Sequence, residues 1–315
     1  AASNTLSLTR SLHVIFKPYI PRLICDCLLI PAGLLKTAFA YKKQNNKYSK
    51  TGHIAICCIV KNEAPYLKEF IDYHIDQGFD HFFIYDNEST DNTSMILRPY
   101  IRQNKVTYKS IRGRARQVDA YNDATSRARN KFDYIAFIDA DEFFVPNNPE
   151  NKIKDVIYKR FHELNNPGGL AINWRVFGSS GYKTKNDLPS PYVTISFNKR
   201  ADDSFEKNEH VKTIADPRKI IAFLNPHYPI YYKGFYSISD SNKIVVGPKC
   251  KQSYKYMSLN HYFCKSLEEY RAKKNRGKAD ALDIRSDNEF IEHDKNDVYD
   301  DKAALLMTNL LKHSF

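Results

Sequence analysis

Between residues 54 and 139 the sequence switches repeatedly between short continuous apolar runs and apolar residues at helical spacing. Ile54 to Val60 is an unbroken Ile- and Val-rich run, the composition of a strand covered on both faces. Leu67, Phe70, Ile71, His74 and Ile75 then recur along one helix face, and Gly78 supplies a stop. His81 to Tyr85 predicts a second strand, Met95 to Ile101 a short helix, and Lys105 to Lys109 a third strand. Gln117, Val118, Tyr121, Ala124, Thr125 and Ala128 mark another helix, and Tyr134 to Ile138 a fourth strand that runs straight into Asp139. This alternation predicts an α/β fold with a mainly parallel sheet and flanking helices.

Sheets of this kind bind ligands outside the carboxyl ends of their strands. The polar clusters fall at those ends: Lys61-Asn62-Glu63, Asp86-Asn87 and Asp139-Ala140-Asp141-Glu142. Two carboxylates one residue apart, at the end of an apolar strand, can share one hard divalent cation, Mg²⁺ or Mn²⁺. Such a cation would bridge two phosphates and act as a Lewis acid on a departing diphosphate. An Asp-x-Asp alone is often only a solvated loop; its position after three strand–helix units is what gives it weight. At the end of the first strand, backbone groups around Val60 and the Asn62 side chain could read a base edge, with Lys61 near phosphate. Asn62 and Glu63 equally suit the start of a helix, and both roles can hold at once. Asp86 and Asn87 could bond a base or ribose, and Asp91 could do so or cap the next helix.

Taken together, several of these segments resemble the family 92 (DUF23-type) glycosyltransferases and related bacterial family 2-like enzymes. The resemblance rests on Ile-Val-Lys-Asn-Glu at 59–63, Tyr-Asp-Asn-Glu-Ser-Thr-Asp-Asn at 85–92, Gln117 with Tyr121-Asn122-Asp123, and Ile-Asp-Ala-Asp-Glu-Phe at 138–143. It continues in order through Trp174 to Gly181, Val211 to Ile214, Asn225 to His227, and Asn260-His261-Tyr262 with Lys265-Ser266, covering about 54–277. It implies a GT-A, Rossmann-like fold, a nucleotide-diphospho-sugar donor (often UDP-linked), a divalent metal, and inversion at the anomeric carbon. By motif position it implies metal and ribose contacts at Asp139 and Asp141, support of that loop by Glu142, and a donor site lined by Gln117 and Asp123.

A third metal ligand is then expected from the second half. His261, at a strand end, comes first, His227 second and His210 third, although a lone histidine is often only structural. Lys265 and Lys212 are phosphate candidates. An inverting transfer needs a general base, and an ionised carboxylate suffices. Asp187, Asp202, Asp203, Glu206 and Glu209 are available, with Asp203 and Glu209 in front. Trp174, Phe177 and Tyr182 could form an acceptor platform or simply pack. Gly168 to Arg175 and Tyr192 to Phe197 read as strands, 198–210 as a polar, mobile stretch, and Ser266 to Asn275 as a helix capped by Ser266 and closed by Gly277.

The formal net charge of +12 favours anionic partners: a sugar nucleotide, a membrane surface or a nucleic acid. Residues 1–50 are expected as a basic, partly amphipathic helical segment for a membrane or partner, 51–277 as the catalytic domain, and 278–315 as an acidic, helical tail. Leu23 to Ala40 is interrupted by Asp26, Pro31 and Lys36, too broken for a spanning helix. Cys57 and Cys58 read as buried thiols, with a reducing compartment as the default. The expected location is cytoplasmic, peripheral at the inner membrane, in surface polysaccharide synthesis, or the Golgi lumen for a trimmed eukaryotic chain. Two other functions compete. A metal-dependent nucleotidyl or phosphoryl transferase is disfavoured by the missing Gly-Lys-Ser/Thr motif. A basic nucleic-acid-binding protein is disfavoured by the acids at the strand ends.

Overall fold

The structure is a computed structural model that describes residues 50–276 and 286–313. Apart from Lys50, the basic segment at 1–50 lies outside the described residues, as does Gly277.

β1 (Ile54–Val60), α1 (Ala64–Asp76), β2 (His81–Asp86), α2 (Thr93–Arg102), β3 (Val106–Ser110), α3 (Gln117–Ala128) and β4 (Tyr134–Phe137) follow one another as the sequence periods predict. β4, β1, β2 and β3 lie side by side, all parallel. The unbroken apolar run of β1 has a direct cause. Ile54, Ile56, Cys58 and Val60 join one core with Leu67, Phe70 and Ile71 of α1, while Ala55, Cys57 and Ile59 join a second core with Val118, Ala120, Tyr121 and Ala124 of α3. Side chains alternate across a strand, so both sets must be apolar. Each fully buried large side chain contributes roughly 1.5–3 kcal/mol of transfer free energy.

The second half adds β5 (Glu142–Pro146), α4 (Ile153–Glu163), β6 (Gly169–Val176), the single turn α5 (Val193–Ser196), β7 (Lys199–Arg200), β8 (Val211–Ala215), β9 (Ile220–Phe223), β10 (Pro229–Tyr231), β11 (Ser237–Ser239), β12 (Ile244–Val245), β13 (Met257–His261), α6 (Leu267–Arg276), α7 (Asp287–His293), β14 (Val298–Tyr299) and α8 (Lys302–His313). β8 inserts antiparallel between β4 and β6, and β11 and β12 extend the sheet beyond β6. β13 pairs with β6 in parallel and with β5 in antiparallel register, His261 opposite Glu142. The result is a mainly parallel α/β sheet with flanking helices, as expected.

Two expectations need correction. Tyr192 to Phe197 is not a strand: Val193–Ser196 forms one helical turn. The buried Glu69 carboxylate accepts from the Val193 and Thr194 amides and from Thr194 Oγ1, which satisfies donors that a strand would have given to a neighbour. The 198–210 stretch is held in place, because Asn208 is fully buried, donates to the Asp202 carbonyl and accepts from the Val176 amide. The described part of 278–315 contains the helices α7 and α8 and packs on the rest of the chain. β14 pairs with β7, Ala303, Leu306 and Met307 of α8 enter the main core, and Asp300 pairs with Arg175 and Arg200.

α6 begins as predicted. Ser266 N–H donates to Glu269 Oε2 at 3.0 Å, and the Glu269 amide donates back to Ser266 Oγ at 3.3 Å, a reciprocal cap. Cys57, Cys58, Cys250 and Cys264 are free thiols.

Candidate active site

The Asp-Ala-Asp turn follows directly from β4. Ile138 N–H still bonds the Cys57 carbonyl of β1, so Asp139 is the first residue released from the sheet. The Asp139 amide donates to Glu142 Oε2 at 2.8 Å, and the Glu142 amide returns to the Asp139 carbonyl at 3.1 Å. The turn is therefore closed by the side chain of its own fourth residue. Gln117 Nε2, from the start of α3, donates to Asp139 Oδ1 at 2.6 Å, and Lys212 Nζ, from β8, donates to Asp139 Oδ2 at 2.8 Å. Burial pushes the Glu142 carboxyl well above its usual range, against the pull of Lys212. Glu142 Oε1 is buried with no hydrogen-bond partner among the described residues.

Asp141 faces the other way. Lys273 Nζ of α6 donates to its Oδ2 at 2.6 Å, and His261 Nε2 lies 3.7 Å from its Oδ1. Burial alone would raise this carboxyl; the charges of Lys273 and, farther off, Lys265 outweigh it and hold Asp141 well below the usual carboxylate range. Burial drives the His261 imidazole the opposite way, well below its usual value, so it is a neutral ring at physiological pH. Its Nδ1 is buried and has no hydrogen-bond partner among the described residues.

These features test the implied metal. An ionised carboxylate faced at 3.7 Å by Nε2 of a neutral imidazole fits a divalent cation of the Mn²⁺ kind, which would be held through that nitrogen and not through the orphaned Nδ1. Among the described residues no group of three or more His, Cys, Asp or Glu converges. The protein thus offers a two-residue donor pair, Asp141 and His261, with Asp139 across the turn, and the remaining positions would fall to substrate phosphate and water. His227 does not join the pair through its Nδ1, which donates to the Val211 carbonyl at 3.0 Å. Burial and the nearby Lys212 push its pKa down to about 3.

The first two strand ends are tied to each other. Asn62, in the left-handed region at φ 54°, accepts from the Thr90 amide at 2.7 Å and donates its own amide to Ser89 Oγ at 2.9 Å. Asp91 Oδ2 accepts from the Ala64 amide, so it serves the start of α1 rather than only its own helix. Asp86 accepts from the Ser89 amide and Tyr108 Oη, and Asn87 donates to the Ile111 and Gly113 carbonyls while its amide bonds the Val60 carbonyl. In this structure the polar atoms of Asp86 and Asn87 shape the rim. Asp123 accepts from Tyr85 Oη, Lys109 and Arg127. Lys265, left-handed at φ 52°, reaches 3.8 Å from Glu63 Oε2 and lies over the Tyr66 ring.

Trp174 of β6 is ringed by three histidines: His261 at 4.3 Å between ring centroids, His210 stacked at 5.0 Å and His227 at 5.4 Å. Its Nε1 is buried and has no hydrogen-bond partner among the described residues. Phe177 is fully buried against Tyr262, and Tyr182 is half-buried near Phe197. Asp203 pairs with Arg200 at 2.8 Å and Arg175 at 3.8 Å. Glu209 sits beside the Trp174 strand: its carbonyl accepts from Asn173 Nδ2, and the Trp174 amide bonds the His210 carbonyl.

Lys273 was not singled out from sequence. Its signal was available: Glu269 and Lys273 lie four apart on the predicted helix, hence on one face. That this face meets Asp141 depends on β13 pairing with β5, which no local pattern reveals.

Comparison with known proteins places the chain in a family. The sequence profile of Glycosyltransferase family 92 matches residues 53–292. A glycosyltransferase family 92 protein of Ricinus communis is 26% identical over 254 residues, covering 75% of this chain and 39% of that protein. One of Oryza sativa subsp. japonica is 28% identical over 158 residues, covering 49% of this chain and 26% of that protein. The chain thus spans well under half the length of the curated relatives it matches. Among solved structures, S. aureus TarS in complex with UDP-GlcNAc is 13% identical, covers 84% of this chain and 72% of that one, and gives a TM-score of 0.37. Glucosyl-3-phosphoglycerate synthase from Mycobacterium tuberculosis, in complex with Mn²⁺, UDP and glucosyl-3-phosphoglycerate, is 13% identical, covers 58% and 61%, and gives 0.32. Likeness at that level extends to neither residues nor ligands.

Proposed function

The chain belongs to glycosyltransferase family 92, and on that premise we propose that it moves a sugar from a nucleoside-diphosphate donor, UDP-linked, to a hydroxyl of a glycan. The observation that carries this reading is the meeting of Asp139, Gln117 and Lys212 with Asp141, His261 and Lys273 at the carboxyl end of β4. Ligands of such sheets bind at that edge.

Asp141 and His261 would hold the divalent cation, with Asp139 within reach of the same substrate. When bound, that cation supplies Lewis-acid stabilisation of the leaving diphosphate. The chain's own contribution is fixed positive charge. Lys212 is almost wholly buried and Lys265 largely so, which holds their charges in place before a diphosphate arrives and makes them effective on it. Gln117 and Glu142 fix the orientation of Asp139. We propose a single displacement with inversion, in which a carboxylate takes the acceptor proton. Glu209 is favoured over Asp203, because it flanks the Trp174 strand while Asp203 is engaged by two arginines. A surface polysaccharide is the acceptor class placed first, since the +12 charge suits an anionic chain or membrane.

The test is nucleotide release across a panel of sugar nucleotides, with and without Mn²⁺. Metal-dependent release from one UDP-sugar, lost in Asp141→Asn, supports the reading. Folded protein that binds no donor in the presence of metal overturns it.

A further inference from the structure

Lys273 occupies the place on Asp141 where a cation is wanted. Its Nζ donates to Asp141 Oδ2 at 2.6 Å and to the Phe263 carbonyl at 3.1 Å, and lies 4.3 Å from the centre of the Phe263 ring. Carboxylate, carbonyl and aromatic face together make a cation cradle, and both side chains are largely buried. The other oxygen of the same carboxylate faces His261. Across the turn Lys212 neutralises Asp139 in the same way. The two acids of the Asp-Ala-Asp turn therefore each carry an ammonium already, with Lys265 near Asp141 as a third positive charge.

A divalent cation arriving alone would meet a site with little net negative charge and would have to evict an ammonium. A diphosphate arriving with it changes the balance, because it brings negative charge of its own and gives the evicted ammonium a new partner. Lysine suits the exchange: its compact charge sits on a flexible four-carbon stem and moves by rotamer change alone.

We propose that Lys273 is a resident counter-ion of Asp141 in the free enzyme, released to the donor's diphosphate as the divalent cation takes its place, so that cation and sugar nucleotide bind as one unit. This rests on the transferase reading and assigns Lys273 as a positioning residue that couples the two ligands. Coupling of this kind is reciprocal: whatever the diphosphate adds to metal affinity, the metal adds to diphosphate affinity.

The experiment titrates Mn²⁺ into the full chain, alone and with saturating UDP, following free Mn²⁺ by electron paramagnetic resonance. In the wild type, UDP should tighten Mn²⁺ binding by about tenfold or more. Lys273→Met should tighten Mn²⁺ binding in the absence of UDP by about tenfold and shrink the gain from UDP. Lys273→Arg, which keeps the charge and adds a bidentate fit to Asp141, should move Mn²⁺ affinity the other way and guards against a Met variant that fails to fold. An unchanged or weaker Mn²⁺ affinity in a folded Lys273→Met overturns the proposal. Asp141→Asn separates this from the transferase reading. If it abolishes Mn²⁺-dependent UDP binding while Lys273→Met is neutral, only the counter-ion role fails; if UDP binding needs neither Mn²⁺ nor Asp141, the reading beneath it fails as well.

Discussion

Lys212 Nζ lies 2.8 Å from Asp139 Oδ2 and 3.8 Å from Glu142 Oε2, with 1% of its side chain exposed. The three groups form one electrostatic unit beneath the turn, and its members differ in how they meet solvent. Asp139 retains a third of its exposure, whereas Glu142 has none. Losing the lysine would therefore strand Glu142 far more than Asp139.

Lys212→Met should lower unfolding free energy by roughly 3 kcal/mol, the usual cost of removing one partner of a buried pair. Adding Glu142→Gln should restore part of that loss, because the amide replaces a carboxyl whose ionised form burial disfavours and which has lost its nearby cation. Urea denaturation of both single variants and the double variant gives the coupling directly. Strict additivity would mean that the two side chains do not share an interaction.

Asp141→Asn should reduce turnover by about two orders of magnitude or more, the scale seen when one charge-stabilising group is removed from a reacting centre. The fold should persist, since the backbone tie from the Tyr262 amide to the Asp141 carbonyl does not involve the side chain. Steady-state kinetics beside circular dichroism checks both halves of the statement.

Gly178 marks where the C-terminal segment docks. A Cβ there would collide with the Lys295 carbonyl oxygen and come within 2.5 Å of Asn296 Oδ1. The following amides of Ser179 and Ser180 are spent on Asp294 and Asn296. Gly178→Ala should push this segment away and speed hydrogen exchange at the Asp297 and Asp300 amides, which bond the Arg200 and Asn198 carbonyls, by about tenfold or more. Unchanged exchange at both amides would show that the loop yields instead.

The parallel half of the fold was legible because β1 to β4 are long enough to show a period and are wrapped by helices that show another. Of the antiparallel additions β6 was legible, from Gly168 to Arg175, but most of the others were not. β7, β12 and β14 have two residues each, too short to carry any pattern, and Val193–Ser196 looks like a strand by its β-branched residues until Glu69 is brought to its amides. At the site, Asp139, Asp141, Gln117, Lys212 and His261 were each readable as polar residues at or near element ends, and the structure brings them together. The rim uses of Asp86 and Asn87 were hidden, since their partners Tyr108, Ile111 and Gly113 come from a neighbouring strand and loop. Lys273 was hidden for the same reason, its partner lying far back in sequence.

His74 gives a prediction that does not depend on the reaction. Its ring is fully buried in α1, with Nδ1 2.8 Å from the Phe70 carbonyl and Nε2 facing the Phe144 amide at 3.5 Å. A carbonyl can only accept, so Nδ1 carries the proton. Nε2 faces an N–H and must stay bare. Protonating Nε2 would set two donors against each other in an apolar site, and burial accordingly lowers the pKa to about 3. In the unfolded chain the same group titrates near 6.5. Between those values the unfolded state binds the extra proton, so stability is fully present above pH 6.5 and falls as the pH drops towards 3. From pH 7 to pH 5 this histidine alone should cost about 2 kcal/mol. Urea denaturation at the two pH values, for the wild type and His74→Gln, isolates that share, because the variant changes no other titrating group. The wild type should lose about 2 kcal/mol more than the variant over the interval, whatever His74→Gln costs at pH 7. Equal losses in the two proteins would mean that His74 takes up its proton within the folded state.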